Sequence, residues 1–310
     1  MSQFEKKDKK VLKTLVSLTN LLKQISNKSV FSKSLPKPQF SILSHPLVNP
    51  YPDWVNSLKG WGEFGTFSDY IIRKILLNLF PTKVTNARII AEDGWETLIA
   101  TLRLDVSPFL TTVLPDVPKK SLFTFSEETE MAIVNFYDSQ THWKKSIYEI
   151  YKMSCLDRIV RNAKLDMPRF SRKEVNECIP FFSHIERWLK FKFTTSEAIY
   201  PNPILGHEST LAADADLFID STLYEIKTVK RPLWYIENEY YQLFGYVSLL
   251  EYLKENVSSW ERSVVEWEAI DTIGYIFPLY MQEVTMDISS WDKNQRFKYL
   301  SELIHYSHII

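Results

Sequence analysis

Residues Leu211–Lys227 read LAADADLFIDSTLYEIK, and they set Asp214, Asp216, Glu225 and Lys227 into two short apolar runs on either side of Asp220-Ser221. A strand sends alternate side chains to opposite faces, and a tight hairpin fixes which residues oppose one another. A two-residue turn at Asp220-Ser221 makes partners sum to 441, so that Asp216 faces Glu225, Phe218 faces Leu223 and Asp214 faces Lys227. All four charged side chains then share one face. The other face carries Ala213, Ala215, Leu217 and Ile219, with Thr222, Tyr224, Ile226 and Thr228, and reads as a core face.

Directly opposed β-carbons on a hairpin lie roughly 4.5 to 5.5 Å apart, so Asp216 and Glu225 repel each other unless a cation sits between them. One or two carboxylates completed by water suit Mg²⁺ or Mn²⁺. Lys227, on the same face as Glu225, can orient a water or meet the charge developing on a phosphate. The constellation suits metal-assisted phosphodiester hydrolysis. A solvated surface hairpin is the alternative reading of the same charges.

After Pro232 the run LWYIENEYYQLFGYVSLLEYLKEN has helical periodicity, with Leu243, Val247 and Leu250 on one stripe and Gln242 and Tyr246 four residues apart on one side. Gly245 allows a close approach to the sheet. Taken in order, Asp216, then Glu225-Ile226-Lys227-Thr228, then Gln242-Leu-Phe-Gly-Tyr246 resemble the PD-(D/E)XK nuclease superfamily, particularly its RecB-like branch with a Gln-x-x-x-Tyr motif. The resemblance covers roughly residues 196–250, and the proline of the family name is absent before Asp216. It implies an α/β fold with a restriction-endonuclease-like mixed sheet flanked by helices. It also implies a Mg²⁺- or Mn²⁺-dependent nuclease in which Asp216 and Glu225, with the Ile226 carbonyl, bind metal. Lys227 assists the water, and Gln242 and Tyr246 line the site. The partner it implies is nucleic acid, DNA favoured over RNA, with a homo-oligomer or protein partner compatible; repair, restriction and anti-phage defence all use this core. Many relatives add an acid or histidine from the preceding helix, for which Lys173–Phe193 offers Glu177, His184 and Glu186, with Glu186 preferred. The same fold without independent catalysis, a nucleic-acid-binding or assembly module, is the alternative.

The surrounding order is a helix near Lys173–Lys192, an extended stretch EAIYPNPIL whose prolines suit a sheet edge, the hairpin, the Gln242 helix, the β-rich run DTIGYIFPLY and an amphipathic helix near Ser289–His305. Residues 1–124 read as a mostly helical N-terminal region and 125–310 as the nuclease-like domain. Within the first part Pro36, Pro38, Pro46, Pro50 and Pro52 mark an irregular linker. Helices are expected over Phe67–Phe80 and Asn86–Leu104, and a long one over Glu127–Asn162.

The chain has 310 residues, 45% of them hydrophobic, which is enough for a substantial core. Its formal net charge of −1 gives no global electrostatic case for binding nucleic acid, so a binding surface has to be local. The basic run Lys152–Lys173 is one candidate, a solvated helix face being its plainer reading. Gly60-Trp-Gly-Glu-Phe-Gly65 satisfies GxGxxG but lacks the preceding strand and the later acid of a dinucleotide site, and reads as a turn leading into a helix. Two cysteines, Cys155 and Cys178, cannot supply four ligands to an iron–sulfur cluster and read as reduced, buried thiols. No stretch has the character of a signal peptide or a membrane span, so the cytoplasm is the expected compartment.

Overall fold

The computed structural model describes residues 17–25, 28–31, 33–40, 52, 55, 60–85, 89–104, 117–162, 164–203, 205, 211, 213–256 and 270–308. Residues 1–16, and Pro46 and Pro50 of the linker, lie outside them. The fold is α/β and rich in helix, around an open five-stranded mixed sheet in the order β1-β2-β3-β4-β5. These strands are Ile199–Pro201, Leu217–Ile219, Thr222–Ile226, Thr272–Phe277 and Gln282–Asp287.

The hairpin register is the one the sequence implies: Leu217 pairs with Tyr224, Phe218 with Leu223 and Ile219 with Thr222. Asp220 turns the chain with a φ of 54°, a left-handed conformation that Asp tolerates better than most residues. β3 pairs in parallel with β4, while the remaining pairs are antiparallel. A parallel neighbour requires a helical crossover, supplied here by Pro232–Glu239 and Tyr241–Asn256.

Helices cover both faces of the sheet. Leu217, Ile219, Tyr224, Ile226 and Ile276 face one core, built with helices of the N-terminal half. Phe218, Leu223, Ile273 and Tyr275 face a second core, which includes Leu243, Val247 and Leu250 from the crossover and Leu300 and Leu303 near the C-terminus. The face whose alternative reading is a solvated surface is therefore buried as well. Ala215, expected beside Leu217, instead joins the Phe218 core, because β2 starts only at Leu217 and the preceding segment pairs with Asn202, Pro203 and Leu205.

In chain order the helices are α1 Leu18–Gln24, α2 Gly60–Leu79, α3 Ile90–Leu104, α4 Lys119–Tyr137, α5 Trp143–Ser154, α6 Asp157–Asn162, α7 Arg172–Asn176, α8 Ile179–Lys192, α9 Pro232–Glu239, α10 Tyr241–Asn256 and α11 Lys293–Ser307. The long helix expected over Glu127–Asn162 is thus three helices. Asp138 ends the first by binding the Gln140 amide and the Thr141 hydroxyl, and His142 starts the second by accepting from the Lys144 amide. Local side-chain bonds of this kind compete with helical continuation. The glycines of the GxGxxG run lie inside α2, so the run expected to be a turn leading into a helix is itself helix. The apolar run around Ile276 continues, after a short turn, into β5, a strand not expected from the pattern.

Residue 124 lies within α4, and the first core draws on residues either side of it, from Phe64 and Trp143 to Ile226. α2 runs through the centre of this core. Its Lys74, fully buried, donates to the carbonyls of Asn135, Phe136 and Asp138 at 2.9, 2.9 and 2.6 Å, an ammonium capping the C-terminus of α4. Lys74→Met keeps the length and removes all three bonds. It is expected to destabilise the fold by about 2–3 kcal/mol, read as a lower urea midpoint at unchanged slope.

Candidate active-site cleft

A cleft of about 440 Å³ opens where β2 begins and β3 ends, and Asp216, Glu225, Ile226, Lys227, Gln242 and Tyr246 all line it. The crevice beyond the carboxyl ends of parallel strands is where ligands commonly bind in open α/β sheets. The parity argument explains how the hairpin delivers its part. Glu225 follows Leu223 on the α10 side of β3, while Asp216 stands where β2 begins and its carboxylate closes back onto β3.

Each group is held. Asp216 Oδ2 accepts from the Ile226 amide at 2.7 Å, and Oδ1 accepts from Arg73 Nη2 at 3.3 Å. Glu225, only 3% exposed, accepts on Oε1 from Lys227 Nζ and from Gln242 Nε2, the latter at 3.0 Å. Gln242 Nε2 also reaches Thr19 Oγ1 of α1 at 3.1 Å and the Tyr246 hydroxyl. The Gln242 amide thus donates both to one oxygen of Glu225 and to the Tyr246 hydroxyl, which holds the i, i+4 pair in place. Gly245 makes room for Leu18 of α1, since a β-carbon there would come 2.6 Å from its Cδ2; the close approach is to α1 and not to the sheet.

Several side chains that motif reasoning did not select also enter the site. α2 turns one face to the cleft through Gly62, Gly65, Thr66 and Asp69, at the spacing that shares a helix side. A β-carbon on Gly65 would meet nothing within 4 Å, so the glycine leaves open space. Arg73, 2% exposed, bridges Asp69 at 2.6 Å, Asp216 at 3.3 Å and Asn202 at 2.9 Å. α6 adds Asp157 and Arg161, and Arg161 pairs with Asp157 at 2.8 Å and Asp214 at 3.0 Å. Asp214, which shares the predicted charged face with Asp216, is therefore tied to α6. The i, i+4 pairs Asp69/Arg73 and Asp157/Arg161 were visible as spacings, but nothing local in the sequence tied them to the hairpin.

The cleft gathers five carboxylates, Asp69, Asp157, Asp214, Asp216 and Glu225, against Arg161, Lys227 and the Arg73 behind them. Burial, reinforced by the charge of Asp216 and opposed by Lys227, raises the Glu225 carboxyl well above the usual carboxylate range. Burial also raises Asp69, with Arg73 opposing it and Asp216 and Asp157 adding to it. Burial alone would depress Lys227, but Glu225, Tyr235 and Asp216 outweigh it and hold the ammonium above its ordinary value. Asp69 Oδ1, Arg73 Nε, Glu225 Oε2 and Thr228 Oγ1 are buried without a hydrogen-bond partner among the described residues. Such orphans are uncommon in native proteins and point to a water or ion as the missing partner.

Other expectations are redirected. Glu177, His184 and Glu186 do not line the cleft; Glu186 accepts from Trp143 Nε1 at 3.0 Å and pairs with Lys144 at 3.4 Å. The basic run Lys152–Lys173 is not a free stripe. Lys152 is buried against Glu128, Arg158 pairs with Asp166, Arg169 with Glu63 and Arg172 with Glu149. Neighbouring acids consume these charges. Cys155 and Cys178 are buried free thiols, their titration pushed upward by burial.

Comparison with known protein families, with curated proteins and with solved structures returns no match. Among the described residues no helix is long and apolar enough to cross a membrane, and no three His, Cys, Asp or Glu side chains form a ready-made metal cage.

Proposed function

We propose that the chain is a metal-dependent nuclease of the PD-(D/E)XK kind, built on a restriction-endonuclease-like core and hydrolysing phosphodiester bonds of nucleic acid, with DNA favoured over RNA. The observation that carries this reading is the convergence of Asp216, Glu225, Lys227, Gln242 and Tyr246 on one cleft with Glu225 Oε2 left unpartnered among the described residues. The order α8, β1–β3, α9–α10, β4 agrees with the arrangement the sequence resemblance implies.

The donor set fits a hard divalent cation: two carboxylates, one with a spare buried oxygen, in a cleft where acids outnumber bases. Mg²⁺ characteristically takes only one or two carboxylates and keeps water elsewhere, so the lack of a three-ligand cage agrees with it. Mg²⁺ or Mn²⁺, held by Asp216, Glu225 and the Ile226 carbonyl, would supply Lewis-acid polarisation of the phosphate and an activated water. The residues of the chain do the positioning. Lys227, an ammonium against Glu225, holds the attacking water or meets negative charge developing on the phosphate. Gln242, steadied by Tyr246, occupies Glu225 Oε1 and keeps Oε2 available. Arg73 and the Ile226 amide fix the plane of Asp216.

One observation favours a second reading, a binding module of the same fold without independent catalysis. Both oxygens of Asp216 already have donors, and Arg73 competes for the position a cation would use. The two readings separate on a panel of end-labelled single-stranded, double-stranded and circular DNA and RNA, incubated with Mg²⁺, Mn²⁺ or EDTA. Cutting that needs the metal is the expected result. Metal binding by pure protein without cutting of any substrate would favour the second reading.

A further inference from the structure

The carboxylates lie at the floor of the cleft, and what surrounds its mouth is of different character. Lys227 leads through a short loop into α9, and this loop carries Lys230 and Arg231, both exposed. Lys230 Nζ sits 4.5 Å from the ring centroid of Trp61, a residue of α2 that lines the cleft. One turn further on, Leu233 and Trp234 are 58% and 55% exposed in the first turn of α9, Trp234 meeting Tyr235 edge-on. Tyr235 in turn lies under Lys227 Nζ, 5.6 Å from its ring centroid. Two chains of contact therefore start at the cleft, one from Lys227 through Tyr235 to the exposed Trp234 and one from Trp61 to the exposed Lys230, and the loop between them in sequence carries Arg231. The acids of α9 lie further along the helix, at Glu237 and Glu239, and Glu239 is paired with Lys28 at 3.1 Å.

Aromatic faces interleaved with cations form the platform on which unpaired bases stack while their phosphates are held; duplexed bases are closed to it. The floor adds a second constraint. Glu225 is 3% exposed and the Lys227 side chain 20%, so a scissile phosphate has to enter the cleft to reach them, which a flexible strand does more readily than a rigid duplex.

We infer that the rim formed by Trp61, Lys230, Arg231 and Trp234 binds an unpaired nucleic-acid strand and feeds it, backbone first, to the Asp216–Glu225–Lys227 floor. This rests on the nuclease reading for its purpose but not for its test. Binding is measured with EDTA present, by fluorescence anisotropy of labelled dT20, rU20 and a blunt duplex of 20 base pairs, beside cleavage of the same oligonucleotides in Mg²⁺.

The wild-type protein is expected to bind a single strand at least about 10-fold tighter than the duplex. Trp234→Ala should weaken single-strand binding by roughly 10-fold. The K230A/R231A double variant should flatten the salt dependence of log K by about 1.4, two phosphates at roughly 0.7 each. Trp234 and Arg231 are exposed, so these variants test the surface and not the core. The ratio of dT20 to rU20 affinity assigns DNA or RNA. Equal or tighter duplex binding, or single-strand affinity untouched by both variants, overturns the inference. So does a Trp234→Ala protein that changes only its oligomeric state on gel filtration, which would make the patch a protein contact. Strand binding without cleavage in Mg²⁺ leaves the platform standing and sinks the nuclease reading alone.

Discussion

Glu225→Gln is expected to lower metal-dependent cleavage by about 10²–10³-fold while leaving the fold intact. The substitution is isosteric, and its amide oxygen can still accept from Gln242, whose bond to Tyr246 is untouched. What disappears is the negative charge at a deeply buried carboxylate whose second oxygen has no partner among the described residues. Calorimetric titration with Mn²⁺ should show at least about 10-fold weaker binding, because a neutral amide oxygen is a poorer ligand for a hard cation. The variant also leaves the Lys227 ammonium without its main counter-charge, so Lys227→Ala in the same background should cost little more; the two act as a unit, and their losses should not add. A Glu225→Gln protein that cuts at the wild-type rate would end the nuclease assignment.

A second large effect, on stability, is expected at Gly94, which is not among the residues that line the cleft. Glycine in the middle of a helix such as α3 is ordinarily a weakness, and replacing it by alanine should gain about 1 kcal/mol from propensity. Here the sign reverses. A β-carbon on Gly94 would fall directly on the Leu156 carbonyl oxygen and within 3.1 Å of the Leu156 β-carbon, at the crossing of α3 with the turn before α6. The obstacle is main chain, which cannot rotate away. Gly94→Ala should therefore destabilise the protein by up to about 2 kcal/mol net, since overpacking that moves backbone commonly costs 1–3 kcal/mol and the propensity gain of about 1 kcal/mol offsets part of it. Thermal unfolding followed by circular dichroism reads the effect, and a raised melting temperature would show that the crossing can relax. Because Leu156 immediately precedes α6, which carries Asp157 and Arg161, the same change should also disturb the cleft.

The contrast between these two positions shows which parts of the molecule were legible. The hairpin was readable because strand parity and a two-residue turn leave a single register, and each residue's partner lies within a few positions along the chain. The spacing of Gln242 and Tyr246 on one helix side was local in the same way, but their choice as site residues came from the resemblance to a Gln-x-x-x-Tyr motif. Asp69, Arg73, Asp157 and Arg161 were not, because what brings them to Asp216 and Asp214 is the packing of α2 and α6 against the sheet. The position of Glu186 outside the cleft has the same origin: the helix adjacent in sequence does not reach it, while Asp69, from a helix distant in sequence, lines it. Likewise the basic run from Lys152 looked like a surface until the tertiary fold supplied Glu128, Glu149 and Glu63 as its partners. Gly94 carried no pattern at all, since the surface it fits is formed by Leu156, whose main chain arrives by another route.

Arg73 has a bearing on how the molecule comes into being. Its guanidinium is buried, yet Asn202 and Asp216, two of its three partners, lie 129 and 143 residues further along the chain. At synthesis rates of about 5–20 residues per second, α2 leaves the ribosome on the order of 10 s before those partners exist. Until then a charged, largely apolar helix has no complete place to go, and an unpaired buried cation is strongly disfavoured. The central helix must wait, solvated or held by a chaperone, for the hairpin to arrive, so that the helical half becomes fully native, and the cleft is assembled, in the same late event.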